Sequence, residues 1–265
     1  MMRTSLLGLM LWAGFLSPGP AAAQAQRGAD FEWKGRIAPG KTIEIRGVSG
    51  DVRAVLATGP EVEVTAVKRG RRSDPDEVQI RVVEHGDGVT ICAVYPTARR
   101  ARRENYCGPG ESHNNTDNND VAVEFTVRVP SGVRLTGATV NGDVVMESLK
   151  SDVLATTVNG SIEVSTTGYA EAETVNGSIR AAMQSTRLPE SLDFRTVNGS
   201  ITLDLPEGFG ANVEARTVNG DVSTDFPLTV QGRFGPRRVN GKIGGGGPRL
   251  SLETVNGSIR LRRAM

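Results

Sequence analysis

The sequence predicts an all-β fold, a β-solenoid built as a single-stranded, β-helix-like stack, and three observations carry that prediction. The tripeptide Val-Asn-Gly occurs seven times in the second half of the chain, at Asn141, Asn159, Asn176, Asn198, Asn219, Asn240 and Asn256, with successive spacings of 18, 17, 22, 21, 21 and 16 residues. A β-branched residue follows every one of these glycines at the second position. No stretch shows a helical apolar period of useful length. A repeat of about 20 residues is a small strand-turn unit that cannot bury its apolar face alone and must stack on its neighbours.

Residues 1–23 read as a secretory signal. Arg3 is the positive start, an apolar run spans Leu6 to Leu16, and Ser17-Pro18-Gly19-Pro20 precedes a small-residue cleavage site after Ala23 or Ala25. The run is too short for a permanent membrane anchor, and nothing later approaches the roughly 20 apolar residues of a membrane helix. Without this segment the chain carries 30 basic and 30 acidic residues, because 31 Lys and Arg lose Arg3 and the 30 acids lose none. That balance favours neither nucleic acid nor a strongly charged surface as partner. With aromatics at 5% and 32 glycines, the core has to be made of small and β-branched side chains.

Residues 31–130 form an N-terminal β-rich part leading into the stack. Period-two alternation marks half-buried strands at Ile43-Glu44-Ile45, at Glu61 to Val64 and at Gln79 to Val82. The clearest strand runs from Val121 to Val129 and is closed by Pro130-Ser131-Gly132. Val48-Ser49-Gly50-Asp51-Val52 reads as an early degenerate copy of the repeat. His85 falls in a hairpin turn. The basic run Lys68, Arg69, Arg71 and Arg72 sits beside Asp74, Asp76 and Glu77, which are expected to neutralise it in a turn.

Cys92 and Cys107, the only cysteines, flank a polar segment in a chain expected to reach an oxidising compartment, so a disulfide is predicted. Closing a loop of that length stabilises by about 3 kcal/mol in the chain-entropy model. Between and after them, Ala98 to Asp120 carries Arg99, Arg100, Arg102 and Arg103, then Tyr106, then a polar run from Glu111 to Asp120. Strand and turn do not explain this composition. The functional reading is a projecting, disulfide-pinned loop whose guanidinium groups pair with anionic glycan or lipid headgroups; the bland one is a solvated surface loop. Asp117, Asn118 and Asp120 could offer oxygens to calcium, but the EF-hand spacing is missing.

Residues 131–265 form the Val-Asn-Gly repeat array, each turn followed by an alternating strand such as Ile162 and Val164 around Glu163. Asn-Gly adopts the positive φ of tight turns readily. Two arrangements are open: a meander of hairpins with type I′ turns, or a stack of corners with an asparagine ladder. The recurrence of a five-residue block, Val-Asn-Gly-(Ser/Asp/Lys)-(Ile/Val), favours the stack. Gly244 to Gly247 are expected to let the chain bend between the last two coils; the lysine and serine of a phosphate-cradling loop are absent. Arg260, Arg262 and Arg263 in the final strand are expected to guard an open edge.

The repeated Thr-Val-Asn-Gly-Ser-Ile, the early Val-Ser-Gly-Asp-Val and the strand ending Val127-Arg128-Val129-Pro130 resemble the bacterial β-strand-repeat proteins classed as putative adhesins, a domain family of unknown function. The resemblance runs from about Phe31 to Arg263 and implies an exported, envelope-associated β-solenoid, with no catalytic residues to carry over. The Cys92 to Cys107 segment stands as an elaboration on it.

With two histidines and no acid partner at a recognisable spacing, acid-base or nucleophilic catalysis has little to start from. No cofactor or metal set is read. Asn-Gly-Ser at Asn159, Asn176, Asn198 and Asn256 matches a glycosylation acceptor, but the repeat accounts for each match. The expected function is non-enzymatic: an exported periplasmic or surface module, adhesin-like or structural, with an envelope glycan or another surface protein as partner. A pure envelope scaffold and, behind it, a carbohydrate-active solenoid enzyme are the alternatives.

Overall fold

A computed structural model describes residues 30–230 and 237–264; the expected signal segment lies outside the described residues. Among the described residues the fold is all-β, with one 3₁₀ turn at Pro75–Glu77. The N-terminal part supplies β1 (Phe31–Gly35), β2 (Thr42–Arg46), β3 (Val52–Leu56), β4 (Val62–Arg69), β5 (Gln79–His85), β6 (Gly88–Val94), the short strands β7 (Tyr106–Gly108) and β8 (Glu111–His113), and β9 (Ala122–Val129). Then follow β10 (Arg134–Ala138), β11 (Val144–Leu149), β12 (Val153–Thr156), β13 (Ile162–Thr166), β14 (Ala170–Glu173), β15 (Ile179–Met183), β16 (Ser191–Arg195) and β17 (Ile201–Leu205). The chain ends with β18 (Ala211–Arg216), β19 (Val222–Thr224), β20 (Leu228–Val230), β21 (Arg238–Ile243), β22 (Arg249–Glu253) and β23 (Ile259–Arg263).

Two large sheets take nearly all of these strands. One runs β1-β4-β9-β3-β11-β13-β15-β17-β23-β19, the other β20-β21-β18-β22-β16-β14-β12-β10-β2-β6-β5. Each layer of the molecule is one strand from each sheet joined by a corner, from β2–β3 and β10–β11 onward, and successive layers pair in parallel. Alternation then sends one set of side chains into the shared core, as in β13 and β17, and the other to solvent. The largest fully buried side chains include Phe125, Phe194, Ile162 and Ile179. Antiparallel strands flank the parallel body: β4 and β1 beyond β9, β5 beyond β6, and β21 with β20 beyond β18.

The corners are rows of identical chemistry. Asn141, Asn159, Asn176, Asn198, Asn256 and Asn219 bridge one to the next, and the row is joined at its start by Ser49 of the early copy. Each side-chain Nδ2 donates to the Oδ1 of the preceding rung at 2.7–2.8 Å, from Asn159 onto Asn141 through to Asn219 onto Asn256. Two places before each asparagine a buried threonine donates to a glycine carbonyl of the adjacent layer, as Thr196 does to Gly177 at 2.8 Å. Two places after, a Ser or Asp side chain accepts the next layer's backbone N–H: Asp143 Oδ1 takes Ser161 N at 2.8 Å and Ser200 Oγ takes Ser258 N at 3.1 Å. The two strands flanking a corner belong to opposite sheets, so these corners do not close antiparallel hairpins.

The glycine of the corner serves a different purpose from the one expected. A Cβ on Gly160, Gly177, Gly199 or Gly257 would lie only 1.9–2.0 Å from the carbonyl oxygen of the glycine in the neighbouring layer. These four are not among the positive-φ residues, nor is any corner asparagine. Glycine is required here because two backbones touch, not because the turn is left-handed.

Three expectations are corrected. Asn240 lies within β21, antiparallel to β18, and outside the asparagine row. Its copy of the motif lacks what the row demands: Arg238 replaces the buried threonine, Lys242 has no acceptor oxygen, and Gly245 stands where other copies carry the second apolar residue of the following strand, such as Val164 or Leu203. Arg260, Arg262 and Arg263 guard no edge, because β23 lies between β17 and β19 and Arg262 forms a two-pronged pair with Asp204 at 2.7 and 2.9 Å. The final layer therefore sits between the fifth and sixth. Finally, Gly244–Gly247 do not join two consecutive coils; they return the chain from the antiparallel β21 to β22, with Gly244 and Gly246 at φ 59° and 80°.

Candidate functional site

The polar segment that composition could not explain is a clamp at the N-terminal end of the molecule. Cys92 on β6 is bonded to Cys107 on β7, with Cα atoms 5.7 Å apart. The β7–β8 pair is thereby held against the second sheet, where it covers the side chain of Glu44. That carboxylate accepts from Arg46 Nε at 2.7 Å, Thr90 Oγ1 at 2.8 Å and Gly110 N at 2.9 Å. A buried carboxylate with this many donors is satisfied and fixed. His85 Nε2 stands 3.1 Å from Thr90 Oγ1; because the Thr90 hydroxyl proton points at Glu44, His85 is the donor in that contact.

The asparagines and aspartates finish the clamp. Asn105 Nδ2 donates to the carbonyls of Tyr95 and Asn115 at 2.9 and 3.2 Å, and Asn114 Oδ1 accepts from Tyr95 N at 2.9 Å. Asp117 accepts from Arg99 N at 3.0 Å. Asp120 accepts from Ser73 N at 2.9 Å and from Arg72 N at 3.2 Å, which ties the loop after β4 to the loop before β9. The backbone N–H of Ser73, above all, holds the Asp120 carboxyl below the ordinary range for aspartate. Of the residues considered for calcium, Asp117 and Asp120 thus spend carboxylate oxygens on backbone N–H groups.

Tyr95 is the pin beneath this region: 3% exposed, its hydroxyl donates to Val121 O at 2.7 Å. Burial pushes the hydroxyl up to about 12, against a smaller opposing pull from the backbone at Ser49. Between the unfolded value near 10 and that native value the folded state holds a proton that the unfolded chain releases, so stability falls as pH rises through this window. We expect a loss of roughly 2 kcal/mol across it. Tyr95→Phe should flatten that part of the curve; denaturant titrations at pH 9, 10.5 and 11.5 read the difference.

Between the two tied loops lie adjoining concavities of about 1150 and 790 Å³. The first is lined by Lys68, Arg69, Arg71, Arg72 and Asn118, the second by Arg72, Glu77, Arg99 and Asp117, and both share Arg72, Asn118 and Asn119. Of the four arginines singled out in the loop, only Arg99 lines the cleft. Arg103 turns toward the ring of Tyr106, 5.9 Å from its centroid, and to His113 Nδ1 at 3.2 Å. Arg100 and Arg102 are exposed.

The run at Lys68–Arg72 is not neutralised as the sequence suggested. Only Lys68 meets one of the three acids, Asp76, at 3.4 Å; Arg69 pairs with Glu124 at 2.7 Å instead. Asp74 caps the 3₁₀ turn and Glu77 accepts from Asn119 Nδ2. Among the described residues, the guanidinium groups of Arg71, Arg72 and Arg99 have no ion-pair partner. The pairing of these two basic runs across one cleft was invisible in the sequence, since about 30 residues separate them.

The family model described as Toastrack DUF4097 matches residues 113–262, more than half of the chain. The chain belongs to the Toastrack DUF4097 family. Its match begins at the end of the β7–β8 hairpin, so the arginine loop and the disulfide of this Toastrack protein precede the matched segment. No curated protein matches the chain. Among solved structures, a putative cell adhesion protein from Clostridium sporogenes is 12% identical over 88% of this chain and 99% of its own, with a TM-score of 0.40. A putative adhesin from Bacteroides fragilis is also 12% identical, over 88% of this chain and 96% of its own, with a TM-score of 0.33. No helix among the described residues of the Toastrack chain is long and apolar enough to cross a membrane.

The Asn-Gly-Ser sites are committed elsewhere: the amides of Asn159, Asn176, Asn198 and Asn256 all donate within the ladder. Beside that ladder the corner valines form a ridge the sequence reading missed. Val140, Val158, Val175, Val197 and Val255 are 38–40% exposed and Val218, in the outermost of these corners, 51%.

Proposed function

We propose that this chain is a non-enzymatic, exported β-solenoid of the bacterial envelope or surface that binds an anionic, extended ligand, such as an envelope glycan, in the cleft at its N-terminal end. The observation that carries this reading is the convergence of Arg71, Arg72 and Arg99, from two separate loops, on adjoining concavities that share Arg72. Guanidinium groups without carboxylate partners are suited to bidentate pairing with phosphate or carboxylate. The disulfide and the Asp120 and Asn105 clamps hold the loops in place, which lowers the ordering cost of binding. The stacked layers then act as a rigid stalk. A pure scaffold is the competing reading, supported by the inner rungs Asn159, Asn176, Asn198 and Asn256, whose side-chain amides both donate and accept within the chain.

The triple substitution Arg71→Ala, Arg72→Ala and Arg99→Ala should reduce retention on isolated lipopolysaccharide or peptidoglycan at least ~10-fold, since each charge-assisted bond contributes about 1.5–3 kcal/mol. It should leave the thermal midpoint within a few degrees. Retention unchanged by the triple substitution would move binding elsewhere, and no retention by either protein would favour the scaffold.

A further inference from the structure

The layers do not stack in chain order. After the fifth layer, β16–β17, the chain leaves one position empty, builds β18–β19 beyond it, adds the antiparallel β20 and β21, and only then inserts β22–β23 into the gap. The inserted layer is bonded on both sides by the same corner chemistry. Asn256 Nδ2 donates to Asn198 Oδ1 at 2.7 Å, and Asn219 Nδ2 donates to Asn256 Oδ1 at 2.8 Å. Thr254 Oγ1 donates to Gly199 O, and Thr217 Oγ1 to Gly257 O, both at 2.8 Å.

Side-chain volume explains why the last layer takes the inner place. It brings Leu250, Leu252, Ile259 and Leu261 into the core at 0–1% exposure, whereas β18 brings Ala211, Val213 and Ala215, and β19 places Thr224 where other layers carry a second apolar residue. The more apolar layer is buried on both sides and the weaker one lies outside it. Nothing in the slot identifies which copy of residues 249–264 fills it, because the ladders, the corner bonds and the Arg262–Asp204 and Arg249–Glu214 pairs are the same whichever copy supplies the layer.

We propose that the final layer is an exchangeable element, and that two copies of this chain join by each inserting residues 249–264 into the gap between the fifth and sixth layers of the other. Two features support a second copy as the occupant. The inserted layer is joined to β21 by Gly244–Gly247 and Pro248, a linker whose four consecutive glycines give the backbone a wide choice of path. The exchanged form remakes between copies the same ladder and corner bonds that the closed monomer makes within one chain, so the balance rests on the linker and on concentration, the condition under which identical elements swap at low cost.

The experiment mixes two full-length variants, Thr202→Cys and Arg260→Cys, whose positions face each other across β17 and β23. They are unfolded together and refolded at low and at high protein concentration under oxidising conditions. Exchange predicts a disulfide between positions 202 and 260 of different copies, read by non-reducing electrophoresis and peptide mass mapping, rising at least ~5-fold at the higher concentration. Unsubstituted chain treated in the same way and analysed by size exclusion with light scattering should give a dimer that persists on dilution. Deleting Gly245 and Gly246 should raise the dimer fraction, because a shorter hinge strains the closed monomer. The proposal is overturned if the unsubstituted and hinge-shortened chains refold only to monomers at every concentration, or if dimers form without the 202–260 bond.

Discussion

Gly177→Ala should destabilise this protein by at least about 3 kcal/mol, the top of the range for overpacking, and lower its thermal midpoint by roughly 6–12 °C. A Cβ there would sit 1.9 Å from Gly160 O and 2.5 Å from Gly160 C, both backbone atoms held in parallel ladders that cannot rotate away. Relief requires the third and fourth layers to separate, which would stretch Asn176 Nδ2 to Asn159 Oδ1, now 2.8 Å, and Thr174 Oγ1 to Gly160 O, now 2.9 Å. Gly59→Ala is the control, since nothing lies within 4 Å of its added methyl, and it should change stability by less than about 0.5 kcal/mol. Equal midpoints for the two variants would mean the glycine row is not in contact in solution.

The second large effect concerns the chain end. Deleting residues 249–265 removes four fully buried aliphatic side chains, worth on the order of 6–12 kcal/mol of burial, against a total stability of about 5–15 kcal/mol for a typical domain. It also strips the parallel partners from β16 and β17 on one side and from β18 and β19 on the other. The truncated chain should lose its cooperative transition and bind a hydrophobic dye, whereas deleting only the last residues Ala264 and Met265 should cost less than about 1 kcal/mol, because Ala264 contributes a single backbone bond to Leu205. Circular dichroism melts and dye fluorescence on both truncations decide it. A sharp transition in the longer truncation would show that the sixth layer can close onto the fifth directly.

How much of this was legible in the sequence depends on what each residue is for. All-β content and parallel stacking followed from the corner block, because a five-residue identity at irregular spacing is what stacked corners need and isolated hairpins do not. The error at Asn240 arose from grouping Lys242 with Ser and Asp after the glycine; only the latter two can accept the next layer's N–H, and the preceding threonine was the missing discriminator. Threonine was visible in six copies and absent in the seventh. Layer order was not legible, since each layer carries the same corner and the choice is made by core volume, Leu252 and Leu261 against Ala215 and Thr224. The cleft was half legible: Arg99 stands out for its unusual surroundings, but Arg71 and Arg72 lie beside acids that the structure uses for capping and loop tethering. A pairing across Asp120 depends on backbone N–H groups, which leave no trace in side-chain pattern.

The out-of-order stack is the central claim, and two cysteine pairs, each placed within one full-length chain, test it most directly. At low concentration, Thr202→Cys with Arg260→Cys should close an intrachain disulfide quantitatively on mild oxidation, because β17 faces β23 with those two positions in register. Thr202→Cys with Ser223→Cys should remain unbridged, because Arg260 stands between them. Rapid closure of the 202–223 pair together with an open 202–260 pair would place the sixth layer directly on the fifth and contradict the account.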